Sequence, residues 1–169
     1  NASDGKTTQV MVEKEQQFLD FFDDARWLAN GESFIWTSER SGWRHLYRIS
    51  RDGEQIIQLT PGDFDITSIQ AIDEDNQWIY YTAAADNVAQ RYLFRSQLDG
   101  SITHQRITPN KFSGVNSYQM SPNGQWAIHS HSRFSQPPQK RLISVENHQQ
   151  LHMLLTNNKL KAKLAKLAQ

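Results

Sequence analysis

Phe34-Ile35-Trp36-Thr37, Trp78-Ile79-Tyr80-Tyr81 and Trp126-Ala127-Ile128-His129 are one pattern written three times. Other landmarks travel with it. Leu46-Tyr47-Arg48 returns as Leu93-Phe94-Arg95 and more loosely as Leu142-Ile143-Ser144; Leu59-Thr60-Pro61 returns as Ile107-Thr108-Pro109 and then as Leu155-Thr156-Asn157. The steps run from 44 to 49 residues and the order never changes. A period of 40 to 50 residues built from short β-segments marks the blade of a β-propeller.

Each unit parses as four strands. The first holds strands at 25–28, 34–38, 45–50 and 55–59; the second at 66–72, 78–83, 91–97 and 102–107; the third at 115–120, 126–130, 140–145 and 150–155. Asn30-Gly31, Asp52-Gly53, Asp99-Gly100 and Asn123-Gly124 fall between them, supplying the residues that tolerate positive φ in two-residue turns. The fold class this pattern implies is all-β: a partial propeller of about three four-stranded blades with a short C-terminal α-helix. Residues 9–12 have no partners upstream and read as the outermost strand of a preceding blade. The divisions are then 1–24 for that strand and a loop, blades at 25–60, 61–109 and 110–156, and a helix at 157–169.

Bulk properties narrow the function. Eighteen lysines and arginines balance 18 aspartates and glutamates in 169 residues, so no global field draws nucleic acid. The five tryptophans, five tyrosines and eight phenylalanines sit mostly on strands, as packing residues rather than base-stacking platforms. With no cysteine there is no disulfide and no thiolate metal site, and the compartment is left undecided. Apolar runs are strand-length, too short to span a membrane. The N-terminus is polar and carries no secretion signal. Closed propellers have about 4 to 8 blades, so three blades read as a piece of a larger protein. Blade faces without neighbours, and an orphan strand edge, lead to an expectation of self-association unless the helix caps the last blade.

The stretch Ser38-Glu39-Arg40-Ser41-Gly42-Trp43-Arg44-His45-Leu46-Tyr47-Arg48 resembles a signature of the dipeptidyl peptidase IV family of serine peptidases. The likeness continues through Gln58-Leu59-Thr60-Pro61-Gly62 and Tyr118-Gln119-Met120-Ser121-Pro122-Asn123-Gly124, and into the run from Asn158 to Leu164. The resemblance implies the last three blades of an eight-bladed N-terminal propeller, ending just before a C-terminal α/β-hydrolase domain. It implies a propeller that walls the active-site chamber, admits peptide substrate and positions its free N-terminus for removal of two residues at a time. It implies a periplasmic or extracellular setting, and no cofactor or metal. Trp43, Arg44, His45 and Tyr47 are its structural signature, with Arg44 expected to bond Glu39 or a carboxylate of the next blade.

The family's catalytic equipment does not carry over. No Gly-x-Ser-x-Gly elbow occurs, so no serine is set up as a nucleophile. No adjacent glutamate pair occurs to clamp a substrate amine; Asp23-Asp24 and Asp73-Glu74-Asp75 fall at turns. Phe21 and Phe22, in the stretch 18–24, are the candidates for the rim of a substrate pocket, though they lack the adjacent arginine of the family pattern. The plainer reading is that they anchor their loop to the blade. His129 and His131 share a strand face at a spacing able to ligate a metal; without a third ligand they read as solvent-facing or hydrogen-bonded. Leu160, Leu164 and Leu167 make an apolar stripe on a lysine-rich helix, read as the start of an inter-domain connection. Trp78 and Trp126 are both expected between adjacent blades. The rival reading is a propeller that scaffolds protein partners or serves a periplasmic transport assembly.

Overall fold

The structure, a computed structural model, describes residues 4–14, 25–134 and 136–167. Twelve strands form three separate four-stranded antiparallel sheets, each a simple meander in chain order. The first holds β1 (Arg26–Trp27), β2 (Ser33–Ser38), β3 (His45–Ser50) and β4 (Ile56–Gln58). The second holds β5 (Ile66–Asp73), β6 (Trp78–Ala83), β7 (Tyr92–Gln97) and β8 (Gln105–Arg106). The third holds β9 (Val115–Met120), β10 (Trp126–Arg133), β11 (Gln136–Ser144) and β12 (Gln149–Leu155), followed by the helix α1 (Asn158–Leu167). Among the described residues no helix is long and apolar enough to cross a membrane.

Turn chemistry sets the meanders. At the four Asx-Gly pairs the side-chain oxygen accepts the amide two residues on: Asn30 from Glu32 at 3.0 Å, Asp52 from Glu54 at 3.1 Å, Asp99 from Ser101 at 2.9 Å and Asn123 from Gln125 at 3.3 Å. Each turn thereby closes on itself and reverses the strand. The outer strands β4 and β8 are shorter than the pattern suggested. Strands β10 and β11 instead run on to the pair Arg133↔Gln136, so β11 takes in Pro137 and Pro138. Those prolines lie beyond Lys140, where β11 has lost its β12 neighbour and the ladder is down to two strands.

The sheets stack face to face because alternate residues point to opposite neighbours. Ile35, Leu46 and Leu59 of the first blade meet Ile79, Tyr81 and Phe94 of the second in one buried cluster. Tyr80 and Leu93, on the second blade's other face, meet Tyr118, Ala127 and Ile143 of the third. The repeated threonine locks this arrangement: Thr60 Oγ1 accepts the Leu46 amide at 2.9 Å, and Thr108 Oγ1 accepts the Leu93 amide at 2.8 Å. The third copy, Thr156, is exposed.

The pairing registers correct the sequence alignment in two places. Trp36↔Tyr47 in the first blade is the counterpart of Tyr81↔Phe94 in the second and His129↔Arg141 in the third. Ser33, not Phe34, therefore corresponds to Trp78, and Lys140-Arg141-Leu142, not 142–144, corresponds to Leu93-Phe94-Arg95. Trp78 and Trp126 do occupy equivalent positions, but only one is covered. Trp78 packs against the second junction with the Arg95 guanidinium 4.0 Å above its ring. Trp126 is 46 % exposed, because its face of the third blade has no blade stacked on it. Trp78→Ala is expected to cost about 2–3 kcal/mol and Trp126→Ala less than about 1 kcal/mol. Chemical denaturation of the two variants checks this, and equal losses would contradict it.

Residues 9–12 form no strand. A ladder needs an adjacent strand, and the described residues offer none; Val10 and Met11 lie instead against Phe34, Tyr47 and Ile49 on the first blade's outward face. Glu13 fastens this segment, accepting from Trp36 Nε1 at 3.3 Å and Ser38 Oγ and pairing with Arg40 at 2.7 Å. At the other end Asn157 O accepts the first helical amide, from Lys161, while its side chain donates to Pro138 O at 2.6 Å. Leu160 and Leu164 stay partly exposed, so α1 does not fold back as a cap over the last blade.

Candidate functional site

Strand direction gathers one set of loops at one rim. The hairpin loops 39–44 and 84–91, the inter-blade connections 59–65 and 107–114, and the exit from β12 into α1 all lie there. Between the first two blades this rim carries a groove of about 270 Å³ lined by Trp43, Asp63, Asp65, Asp86, Val88 and Arg91 among others. Trp43 is 41 % exposed at its edge.

The signature residues divide between display and support. Trp43 is displayed. The Arg44 amide donates to Asp65 Oδ1 at 2.8 Å, and Arg44 O accepts the Ile66 amide, so it is the backbone here that ties the first blade to a carboxylate of the second. His45 is buried. Its Nε2–H donates to Gly62 O at 2.9 Å, which fixes Nδ1 as the acceptor for the Thr60 hydroxyl at 3.1 Å. Burial holds the imidazole below its usual pKa, against the opposing pull of Gly62 O, Asp65 and Asp63. Tyr47 donates to Ser41 Oγ at 2.9 Å, beneath the Arg40 guanidinium. His45 and Tyr47 thus brace the loop that presents Trp43. Phe21 and Phe22, with Asp23-Asp24, lie outside the described residues.

The other acidic run is structural: Glu74 Oε2 accepts the Ala29 amide of the first blade at 2.8 Å, and Asp73 accepts from Asn76. His129 and His131 do share a face, but a buried one turned toward the second blade, where their Nε2 atoms donate to Asn116 Oδ1 at 2.8 Å and Ser113 O at 2.9 Å. Among the described residues no three histidine, cysteine, aspartate or glutamate side chains gather into a metal-binding group.

A family model described as the dipeptidyl peptidase IV (DPP IV) N-terminal region matches residues 1–138. The chain belongs to the DPP IV N-terminal region family. A probable dipeptidyl peptidase 4 of Emericella nidulans is 30 % identical over 145 residues, covering 83 % of this chain and 18 % of the relative. The dipeptidyl peptidase 4 of Arthroderma otae is 27 % identical over 127 residues, covering 75 % and 16 %. Among solved structures, Porphyromonas gingivalis dipeptidyl peptidase 4 superposes with a TM-score of 0.71 at 23 % identity, over 83 % of this chain and 19 % of that one. A putative dipeptidyl aminopeptidase IV from Bacteroides ovatus gives a TM-score of 0.64 at 19 % identity, over 78 % and 21 %. This DPP IV propeller segment therefore spans under a fifth of the length of the Emericella and Arthroderma proteins.

One group of residues escaped the sequence reading. Arg141 and His148 join His129 and His131 around the ring of Phe112 at the second junction, with Tyr118 stacked on His129. The two-residue slip in the loose third repeat hid the correspondence of Arg141 to Phe94. The signal available was Phe64 recurring as Phe112, 48 residues on and three residues after each Thr-Pro.

Proposed function

We propose that this segment forms part of the chamber wall in a DPP IV-type serine exopeptidase, gating and positioning peptide substrates for an α/β-hydrolase domain that performs the cleavage. Family membership across residues 1–138 is the observation that carries this reading. The rim geometry agrees with it. The chain leaves its last strand on the rim that displays Trp43, so a domain following α1 would face that rim and its groove.

The segment supplies shape and polar contacts, not bond-breaking chemistry. A serine hydroxyl is a poor nucleophile without an adjacent base and an oxyanion hole, and no serine here sits in a nucleophile elbow. His45, the histidine behind the rim, is buried and committed to Thr60 and Gly62. The rim carboxylates Asp63, Asp65 and Asp86 are suited to meet the ammonium end of a peptide, and the Trp43 indole to meet an apolar side chain.

The isolated chain is expected to show no turnover of a Gly-Pro chromogenic substrate and no labelling by a fluorophosphonate probe. In the longer polypeptide that includes this segment, Trp43→Ala is expected to raise KM several-fold with kcat little changed. Labelling of the isolated chain would overturn the non-catalytic role, and an unchanged KM would overturn the positioning role.

A further inference from the structure

The two blade junctions have the same construction and opposite chemistry. At the first, Phe64 enters from the inter-blade connection and meets His104 at 4.4 Å, and His104 in turn stacks on Phe94 at 4.1 Å, with Tyr81 at 6.0 Å from Phe94. At the second, Phe112 enters from the equivalent connection, but the positions of Tyr81 and Phe94 are taken by His129 and Arg141. His148 lies 5.1 Å from Phe112 and 4.8 Å from His129. An aromatic plug has been replaced by a basic one.

The basic plug is neutral only in part and has no room for another proton. His129 Nε2–H is committed to Asn116 Oδ1, whose amide orientation is fixed by its Nδ2 donating to the carbonyls of Arg91 and Phe112. His148 Nε2 and the Tyr118 hydroxyl bond each other at 2.9 Å, and that hydroxyl also meets Thr108 Oγ1 at 2.7 Å. His129 Nδ1, His148 Nδ1 and Arg141 Nε are all buried with no partner. A proton on His129 Nδ1 would thus add a charge where no acceptor waits, while at His148 only its own backbone offers partial compensation. Arg141 makes matters worse: it is buried, with the Gln139 amide oxygen and the Phe112 ring as neighbours.

Most of the charged groups on the surrounding elements are basic. From β10 come His131 and Arg133; from β11, Arg141; from the turn preceding β9, Lys111, whose Nζ lies 5.3 Å from the Phe112 ring. From the second blade come Arg106, paired with Asp86 at 2.6 Å, and Arg91, bonded to the carbonyls of Val88 and Gln90. Tyr118 of β9 is a phenol whose pKa burial pushes further up. Glu146, exposed in the turn of His148, is the carboxylate nearest to it in sequence. At the first junction burial lowers His45 and His104 too, but carboxylates oppose it, Asp65 and Asp63 at His45 and Asp86 at His104, where the second junction has none that does so.

We propose that the junction between the second and third blades is an acid-sensitive joint: protonation of His129 and His148 releases the third blade while the first two remain stacked. Burial, then neighbouring His148 and Arg141, lowers His129 to about 2; burial chiefly, with Arg141 and Lys111, lowers His148 to about 4. Both folded values lie below the ordinary histidine value of about 6.5, so the released blade binds more protons than the docked one. Docking is therefore fully favoured above about pH 6.5 and weakens as pH falls, by about tenfold per histidine per pH unit, until each folded value is passed.

Hydrogen exchange on the wild-type chain, corrected for intrinsic rates, tests this without any variant. From pH 7 to 4.5 the opening of β10 and β11 amides is expected to rise by on the order of 1,000-fold or more, with β2, β3 and β6 changing at least tenfold less. A uniform change across the three blades, or none, would overturn the proposal. The double variant His129→Tyr/Arg141→Phe installs the residues of the first junction, and its third blade is expected to lose most of the acid response. If that variant folds and keeps the wild-type pH profile, the joint is not where we place it; if it does not fold, the contrast between blades in the wild type decides alone.

Discussion

Replacing Phe94 with alanine is expected to destabilise the chain by about 3–5 kcal/mol, as emptying the space of a fully buried aromatic does. Phe94 is 1 % exposed and sits at the centre of the first junction, stacked on His104 at 4.1 Å and facing Tyr81 across the ladder. Its side chain is held by two blades, so the cavity cannot be closed by relaxing one sheet alone. Urea denaturation measures the loss. Ile102→Ala, at a 44 % exposed position on the same blade, is the control and should cost less than about 1 kcal/mol. Equal effects would mean that the sheets do not meet at Phe94.

Gly114→Ala is expected to cost about 3 kcal/mol, from two sources that add. At φ +124° the residue holds a conformation essentially closed to L side chains, a strain of about 1–3 kcal/mol. A Cβ there would also lie 2.5 Å from the Ser132 backbone oxygen, which is fixed in the β10 ladder. The glycine is needed where the connection turns into β9, its carbonyl accepting the Arg91 amide at 3.1 Å. Gly42→Ala isolates the strain, since φ is +93° there with nothing within 4 Å of a Cβ. Thermal melts should show the Gly114 variant about 6–12 °C below wild type, and the Gly42 variant well above it. A Gly114 variant that melts with the Gly42 variant would show that Ser132 yields.

What was legible in the sequence follows physical strength of signal. Strands β3, β6 and β9 come out at their expected limits; Asp52-Gly53 and Asn123-Gly124 end β3 and β9, and the polar turn 74–77 starts β6. The outer strands β4 and β8 are shorter than expected, since a blade's edge strand needs few ladder bonds and its composition resembles loop, while β12 runs one residue longer. Trp126 shows a deeper limit. Sequence reports that a residue suits an inter-blade position, whereas burial depends on whether a blade lies beyond it. The rim was half readable: the Trp43-Arg44-His45 run stands out, but His45 proved to be a brace, and the groove depends on Asp63 and Asp65 of the inter-blade connection meeting Asp86 of the β6–β7 loop. The basic plug was invisible because Arg141 on an alternating strand looks like any solvent-facing arginine until the register turns it inward.

Three independent sheets stack face to face as consecutive propeller blades. Nuclear Overhauser contacts between side chains of different sheets test this most directly. Stacked blades predict contacts from the Gly124 α-protons to the Tyr80 ring and from the Gly100 α-protons to the Ile57 γ-methyl, the nearest carbon of each lying 2.8 Å from where the glycine's Cβ would stand. Absence of both, with contacts instead joining β4 edge to edge with β5, would contradict the blade arrangement and the account built on it.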